Sequence, residues 1–246
     1  MPAKRKLRAD ELLISNGLLV SKESARASIL AGEVFSHKGR IEKPGQFLPV
    51  DTPVWLKAKR KFVSRGGEKI EGALQDFGIE VTGVKFLDIG ASTGGFTDCL
   101  LQYGASQSYA LDVGRAQLAE KLRHDPRVWY KEGVNARYPF DLPEEVDLIV
   151  ADVSFISLKL VLLPSLEHLR LNGQILSLIK PQFEASKSKV GNRGIIKDPK
   201  VHASVLGEFC LWAIENGLKV LGVRPSVIKG GNGNQEFFAL FRKIKR

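Results

Sequence analysis

The sequence predicts a doubly wound α/β sheet preceded by a small α+β module, and three observations predict it. From residue 68 onward, apolar runs of strand length alternate with amphipathic stretches of helix length. That is the pattern of a mostly parallel sheet covered on both faces. One strand–helix junction, FLDIGASTGGFTDCL, carries a glycine-rich turn. The charge is also uneven: residues 1–65 hold 14 Lys/Arg against 6 Asp/Glu, most of the +10 net charge of the 246-residue chain. A basic module ahead of a nearly neutral body suits a polyanion-binding unit joined to a catalytic or ligand-binding one.

In chain order, LRADELLISNG (7–17) reads as a short amphipathic helix, with Leu7, Leu12 and Leu13 on one side and Gly17 as terminator. SKESARASILAGE follows, with Ser21 as N-cap, Glu23 in the first turn and Ala25, Ile29 and Leu30 toward a core. VFSHKGRI is a strand–turn–strand and TPVWLK (52–57) a further strand. KAKRKFVSRGGE is a basic linker ending in a Gly pair. The expected divisions are 1–58 for the small module, 59–67 for the linker and 68–246 for the sheet domain.

Within that domain, 68–78 is a helix, VKFLDIGA a strand and GGFTDCLLQYG a helix. SYALDVG is a strand, AQLAEKLRH a helix, and VWYKEGV and VDLIVADVSF are strands. A helix at 157–170, the strand QILSLIKPQF and a helix at 199–217 precede a terminal strand pair, LKVLGVRPS with QEFFALFRKI.

Several classes are disfavoured. The most membrane-like window, 146–166, is broken by Asp147, Asp152 and Lys159, leaving no uncharged run near the ~18 residues of a spanning helix. The opening MPAKRKLRADELL is basic but has no apolar run after it. Cys99 and Cys210 lie far apart and match no zinc or redox spacing. The expectation is a cytoplasmic protein without a metal site or membrane partner, with a monomer favoured.

The glycine turn departs from the dinucleotide fingerprint. With Gly90 as its first glycine, Ser92 stands where the second belongs, and that second glycine lets backbone approach a pyrophosphate. The next strand ends in Asp112, 22 residues after Gly90, where a carboxylate accepts hydrogen bonds from a ribose diol. A glycine turn with that acid but no pyrophosphate fingerprint suits a mononucleoside cofactor such as S-adenosylmethionine. Asp88, Gly90, Ser92, Thr93, Gly94 and Gly95, with Asp112, Asn135 and Asp152, form the expected cofactor set.

Other strands also end in charge. Asp152 closes the fourth strand and Lys180 the fifth. In an open parallel sheet the ligand crevice lies at the carboxyl ends of the strands, so these residues converge. If the last strand runs antiparallel, Glu236 emerges at the same edge, and Lys69 reaches it from the preceding helix. A lysine held neutral there takes a proton from a hydroxyl; ordinary salt bridges are the alternative.

In order, Lys69, Asp152, Lys180 and Glu236 resemble the K-D-K-E tetrad of the FtsJ-like 2′-O-ribose methyltransferases. FVSRGGEK, DIGASTGGFTD, ADVSFIS and IKPQFE together are similar to the TlyA family of ribosomal RNA cytidine 2′-O-methyltransferases, also labelled hemolysins. Residues of about 5–58 resemble the RNA-binding domain of ribosomal protein S4. The resemblance implies a Rossmann-like S-adenosylmethionine-dependent methyltransferase sheet behind an S4-like RNA-binding domain. It implies Lys180 as general base, with Lys69 and Glu236 setting its charge state and Asp152 orienting it. Ribosomal RNA within ribosomal subunits is the implied partner, contacted through Lys4, Arg5, Lys6, Arg8, Lys22, Arg26, Arg60 and Arg65. The family's Arg-x-Trp-Val linker motif reads here as Arg60-Lys61-Phe62-Val63, keeping the ring and losing the indole N–H. Two other classes compete: a non-catalytic RNA-binding or assembly protein, and a membrane-lytic one.

Overall fold

The computed structural model describes residues 5–57, 60–191 and 194–244. The chain divides into two compact units, Met1–Arg60 and Lys61–Arg246. The boundary therefore falls inside the segment read as linker.

In the first unit, β1 (Lys6–Arg8) leads into α1 (Ala9–Ser15), and α2 (Lys22–Leu30) packs beside it. β2 (Val34–Ser36) pairs antiparallel with β3 (Gly39–Arg40) and with β5 (Val54–Leu56), while β4 (Phe47–Pro49) pairs with β1. β1 and β4, three residues each, are too short to show a period-two pattern and were not expected. Leu12, Leu13, Ala25, Ile29, Val34, Ile41 and Leu48 form the unit's core. Leu30, expected to face it, is 74% exposed. Ser21 caps α2 as expected, and Ser24 at the third helical position returns the bond by accepting the Ser21 N–H.

The second unit opens with Phe62, which is buried. A methyl group on Gly67 would overlap its side chain, so glycine lets α3 (Arg65–Phe77) close over the ring. Asp98 accepts the Val63 N–H at 2.8 Å. The linker motif is thus packed structure here, and α3 begins three residues before the expected start.

Next come β6 (Lys85–Ile89), α4 (Gly95–Gln102), β7 (Gln107–Asp112), α5 (Glu120–Arg123), β8 (Val128–Glu132) and β9 (Val146–Ala151). α6 (Leu158–Ser165), β10 (Leu169–Ile179), α7 (Pro181–Glu184), α8 (Pro199–Glu215), β11 (Leu218–Pro225) and β12 (Phe237–Lys243) complete the unit. Among the described residues the sheet has seven strands, in the order β11-β12-β10-β9-β6-β7-β8. β6 to β10 run parallel and β12 antiparallel to both neighbours. The order reverses between β6 and β9, the place where such sheets open a ligand crevice.

Two expected elements differ. The helix AQLAEKLRH shrinks to α5 because Glu132 claims the backbone ahead of it: its carboxylate accepts the N–H groups of Ala116, Gln117 and Leu118 at 2.7–3.2 Å. The strand through Lys180 stops at Ile179, and Pro181, which has no N–H, opens α7 at its first position. Among the described residues, no helix is long and apolar enough to cross a membrane.

Candidate active site

Strand register assembles the site. Ile89 lies beside Leu111 on one side and Ala151 on the other, so Gly90, Asp112 and Asp152 leave the sheet at one level. β10 runs further: Ser177 pairs with Ala151, and Ile179 with Phe237. Lys180 and Glu236 therefore project from neighbouring strand ends, one step beyond the cofactor loop.

The four charged residues form two ion pairs. Lys69 Nζ donates to Glu236 Oε2 at 2.7 Å, with side chains 11% and 3% exposed. Glu236 sits against bare backbone, since a methyl on Gly230 would overlap its carboxylate. Lys180 Nζ lies 2.6 Å from Asp152 Oδ1 and donates to Ser154 Oγ at 2.8 Å. Asp152 Oδ1 is close enough for Coulomb attraction but off the line of a hydrogen bond, so the aligned bond belongs to Ser154. Buried charges persist only when compensated, and here each cation has its own acid.

Beside these pairs lies a cavity of about 470 Å³. Gly90, Ser92, Asp112, Asn135 and Asp152 line it among apolar Leu111, Val113, Val134, Phe155 and Ile156. Asp112 holds the turn, taking the Ser92 N–H on Oδ2 at 2.7 Å and the Gly114 N–H on Oδ1 at 2.6 Å. Gly90 has φ +80°, and a Cβ there would sit 2.7 Å from the Asp152 carbonyl oxygen. Asn135 accepts the Arg137 N–H in its own turn.

A family model described as FtsJ-like methyltransferase matches residues 62–243. The chain is 47% identical to YqxC of Bacillus subtilis, over 95% of this chain and 84% of that protein. It is 41% identical to the 16S/23S rRNA (cytidine-2′-O)-methyltransferase TlyA of Mycobacterium tuberculosis, over 97% and 90%. This chain belongs to the TlyA group of FtsJ-like methyltransferases. A solved structure from Streptococcus thermophilus, provisionally named a hemolysin, superposes at a TM-score of 0.75 with 42% identity, covering 99% of this chain and 90% of that one.

The cavity of this FtsJ-like unit fits S-adenosylmethionine in chemistry as well as size. It combines an apolar slot for a base, a carboxylate at a second-strand end and a glycine turn that admits close backbone approach. Four members of the expected cofactor set do not line it. Asp88 is buried beneath the loop, where its Oδ2 accepts Thr97 Oγ1–H at 2.7 Å and Thr97 N–H at 3.1 Å, anchoring α4. Burial pushes its carboxyl up to about 7, against the lowering effect of Thr97. Gly94, at φ +89°, makes room for Leu118 and Leu122, and Gly95 lets Ser64 and Gly67 approach. Thr93 is exposed, and its carbonyl accepts the Ala119 N–H.

Sequence reasoning missed three residues of the site. Ser154 takes the aligned bond from Lys180. Phe155 is 91% exposed at φ +65°, its ring 5.1 Å from that of Phe183. Its place at the end of the largely apolar run VDLIVADVSF made it read as part of a strand. Glu132 holds the Val113–Leu118 wall, and those three amide bonds lower its carboxyl below the usual range. An acid at a third-strand end was the available signal.

In the first unit, several expected phosphate contacts already hold acids. Arg8 donates to Asp10 at 3.0 and 2.8 Å, Arg26 donates to it at 3.3 Å, and Lys22 pairs with Glu11 at 3.0 Å. The Arg8 and Arg26 bonds hold the buried Asp10 carboxyl at about 2. Arg5, Lys6 and Arg60 are exposed, and Lys4 lies outside the described residues. Arg65, in the second unit, donates to the Lys229 carbonyl at 2.8 Å.

Proposed function

We propose that this protein transfers a methyl group from S-adenosylmethionine to the ribose 2′-hydroxyl of a cytidine in ribosomal RNA. The observation that carries the reading is Lys180, a lysine at a strand end ion-paired with Asp152 and hydrogen-bonded to Ser154, both of the cavity lining. When bound, S-adenosylmethionine supplies the electrophilic methyl group.

The protein's own residues manage position and one proton. The Lys180 ammonium first gives one proton to solvent; its amine then takes the proton from the 2′-hydroxyl as that oxygen bonds the methyl group, and Asp152 with Ser154 aims it. Lys69 and Glu236 present a charge-balanced pair that orients the ribose without adding net charge. Gly90, Ser92, Asp112, Asn135 and Asp152 hold the cofactor. Fixing nucleophile and methyl group in line accounts for about 7–11 kcal/mol of barrier lowering. Phe155 offers an exposed ring next to Ser154, the partner of the proton-accepting Lys180, and stacking on such a ring is worth about 1–3 kcal/mol per base. The basic first unit, with Arg5 and Lys6 exposed, supplies salt-dependent phosphate attraction.

The name of the Mycobacterium tuberculosis relative covers both 16S and 23S rRNA, so both subunits belong in the test. Purified protein, labelled S-adenosylmethionine and each ribosomal subunit are combined, and ribose methylation is mapped by mass. Label on a cytidine ribose is expected. No transfer to either subunit, despite calorimetric cofactor binding, would overturn the reading in favour of a non-catalytic RNA-binding protein.

A further inference from the structure

Glu184 closes the IKPQFE segment and has no part in the site described above. It ends α7, four residues after Lys180, and its side chain reaches back 26 residues. Oε1 accepts the Leu158 N–H at 2.6 Å, and Oε2 accepts the Ser157 hydroxyl at 2.7 Å. Leu158 opens α6, so its N–H is one of the first-turn donors that a helix cannot satisfy internally. Ser157 stands at the N-cap position, yet its side chain makes no cap bond. Its hydroxyl donates to Glu184 instead, and the carboxylate caps the helix from a distant part of the chain, where the helix dipole favours negative charge.

The two segments are joined residue by residue. Lys180 meets Asp152 and Ser154; the Phe183 ring meets the Phe155 ring; Glu184 meets Ser157 and Leu158. Between the outer fastenings lies Phe155 at φ +65°, a left-handed conformation that a side chain adopts at a cost. Such a residue needs both flanks held. Burial pushes the Glu184 carboxyl above its usual range, with Ser157 and Leu158 opposing that shift; the group is desolvated for the sake of these bonds.

We propose that Glu184 is a positioning residue for methyl transfer: by capping α6 it locks residues 152–158 against residues 180–184, fixing Lys180 relative to Asp152 and Phe155. The proposal rests on the reading of Lys180 as the base, and its test separates the two. Wild type, E184A, S157A and the double variant are compared in single-turnover methylation of ribosomal RNA, in cofactor affinity by calorimetry, and in amide exchange across residues 152–158. The expected result for E184A is a rate lowered about tenfold to a hundredfold by misplacement, with cofactor affinity within about twofold of wild type and faster exchange at 152–158. S157A loses less, and the double variant is no worse than E184A, because both changes open one fastening. Wild-type exchange in E184A overturns the clamp whatever the activity. Faster exchange with a wild-type rate overturns the positioning role. Equal losses of rate and cofactor affinity reduce Glu184 to a structural residue. A wild type that methylates no RNA sinks the proposed function while the exchange measurement still judges the clamp. Should E184A fail to fold, S157A alone carries the same comparison.

Discussion

Lys69 and Glu236, 167 residues apart in the chain, meet at 2.7 Å with almost no exposure to solvent. Removing one partner strands the other as a buried, uncompensated charge, which costs about 3–5 kcal/mol. E236Q is therefore expected to lose that order of stability in urea unfolding, together with activity. The double variant K69M/E236Q regains most of the stability and none of the activity. Recovered activity would show that the pair is scaffold only.

Lys180→Ala removes the proposed base while leaving the cavity walls in place. Methyl transfer should fall about 10²–10⁴-fold, with calorimetric affinity for S-adenosylmethionine unchanged within about threefold. An unaltered rate would take lysine out of the chemistry.

Gly90→Ala sets a methyl 2.7 Å from the Asp152 carbonyl oxygen at a backbone angle of φ +80°. Neither backbone can yield without moving the cofactor turn or Asp152. Cofactor affinity is expected to drop more than RNA affinity, and calorimetry beside RNA filter binding measures the difference.

Phe155→Ala removes an exposed ring without emptying any core. KM for RNA should rise by the loss of about 1–3 kcal/mol of stacking, with thermal stability unchanged. Phe155→Gly should lose the same stacking and gain stability, because glycine adopts positive φ freely.

Asp88 gives stability a pH signature. Its folded-state carboxyl titrates near about 7 because of burial, well above the usual carboxylate range. Between about pH 4 and 7 the folded chain holds a proton that the unfolded chain has released, so this residue's contribution falls as pH rises and levels off above 7. D88N, which copies the neutral acid, should gain on wild type by up to about 1.4 kcal/mol per pH unit across that window. Urea midpoints measured from pH 4 to 8 read it directly. Asp10 has the opposite sign: its carboxyl lies at about 2, so its stabilisation fades as pH falls below 4.

The strand ends were legible because a charge closing an apolar run is expensive, and Lys180, Asp152 and Asp112 announced the edge on that ground alone. Glu236 needed the antiparallel direction of the last strand, which a hairpin reading supplies. Less visible were side chains whose partners lie far along the chain. Nothing local tells Glu132 to hold 116–118, nor Ser157 to give its hydroxyl to Glu184 rather than to its own helix. Asp88, Gly94 and Gly95 were read as cofactor contacts because they belong to the loop's pattern. Their chemistry turned out to be packing: an anchor for α4, and space for neighbouring side chains and backbone.

The placement of β12 bears on the order in which a ribosome makes this chain. β12 lies between β10 and β11 although it is synthesised after both. Until it emerges, β10 has an open edge and Lys69 has no carboxylate opposite it. An unfinished chain can hold its glycine turn, its Asp152 and its Lys180, yet still lack Glu236. Translation of residues 236–243 thus adds the strand between β10 and β11 and the carboxylate opposite Lys69 in one step.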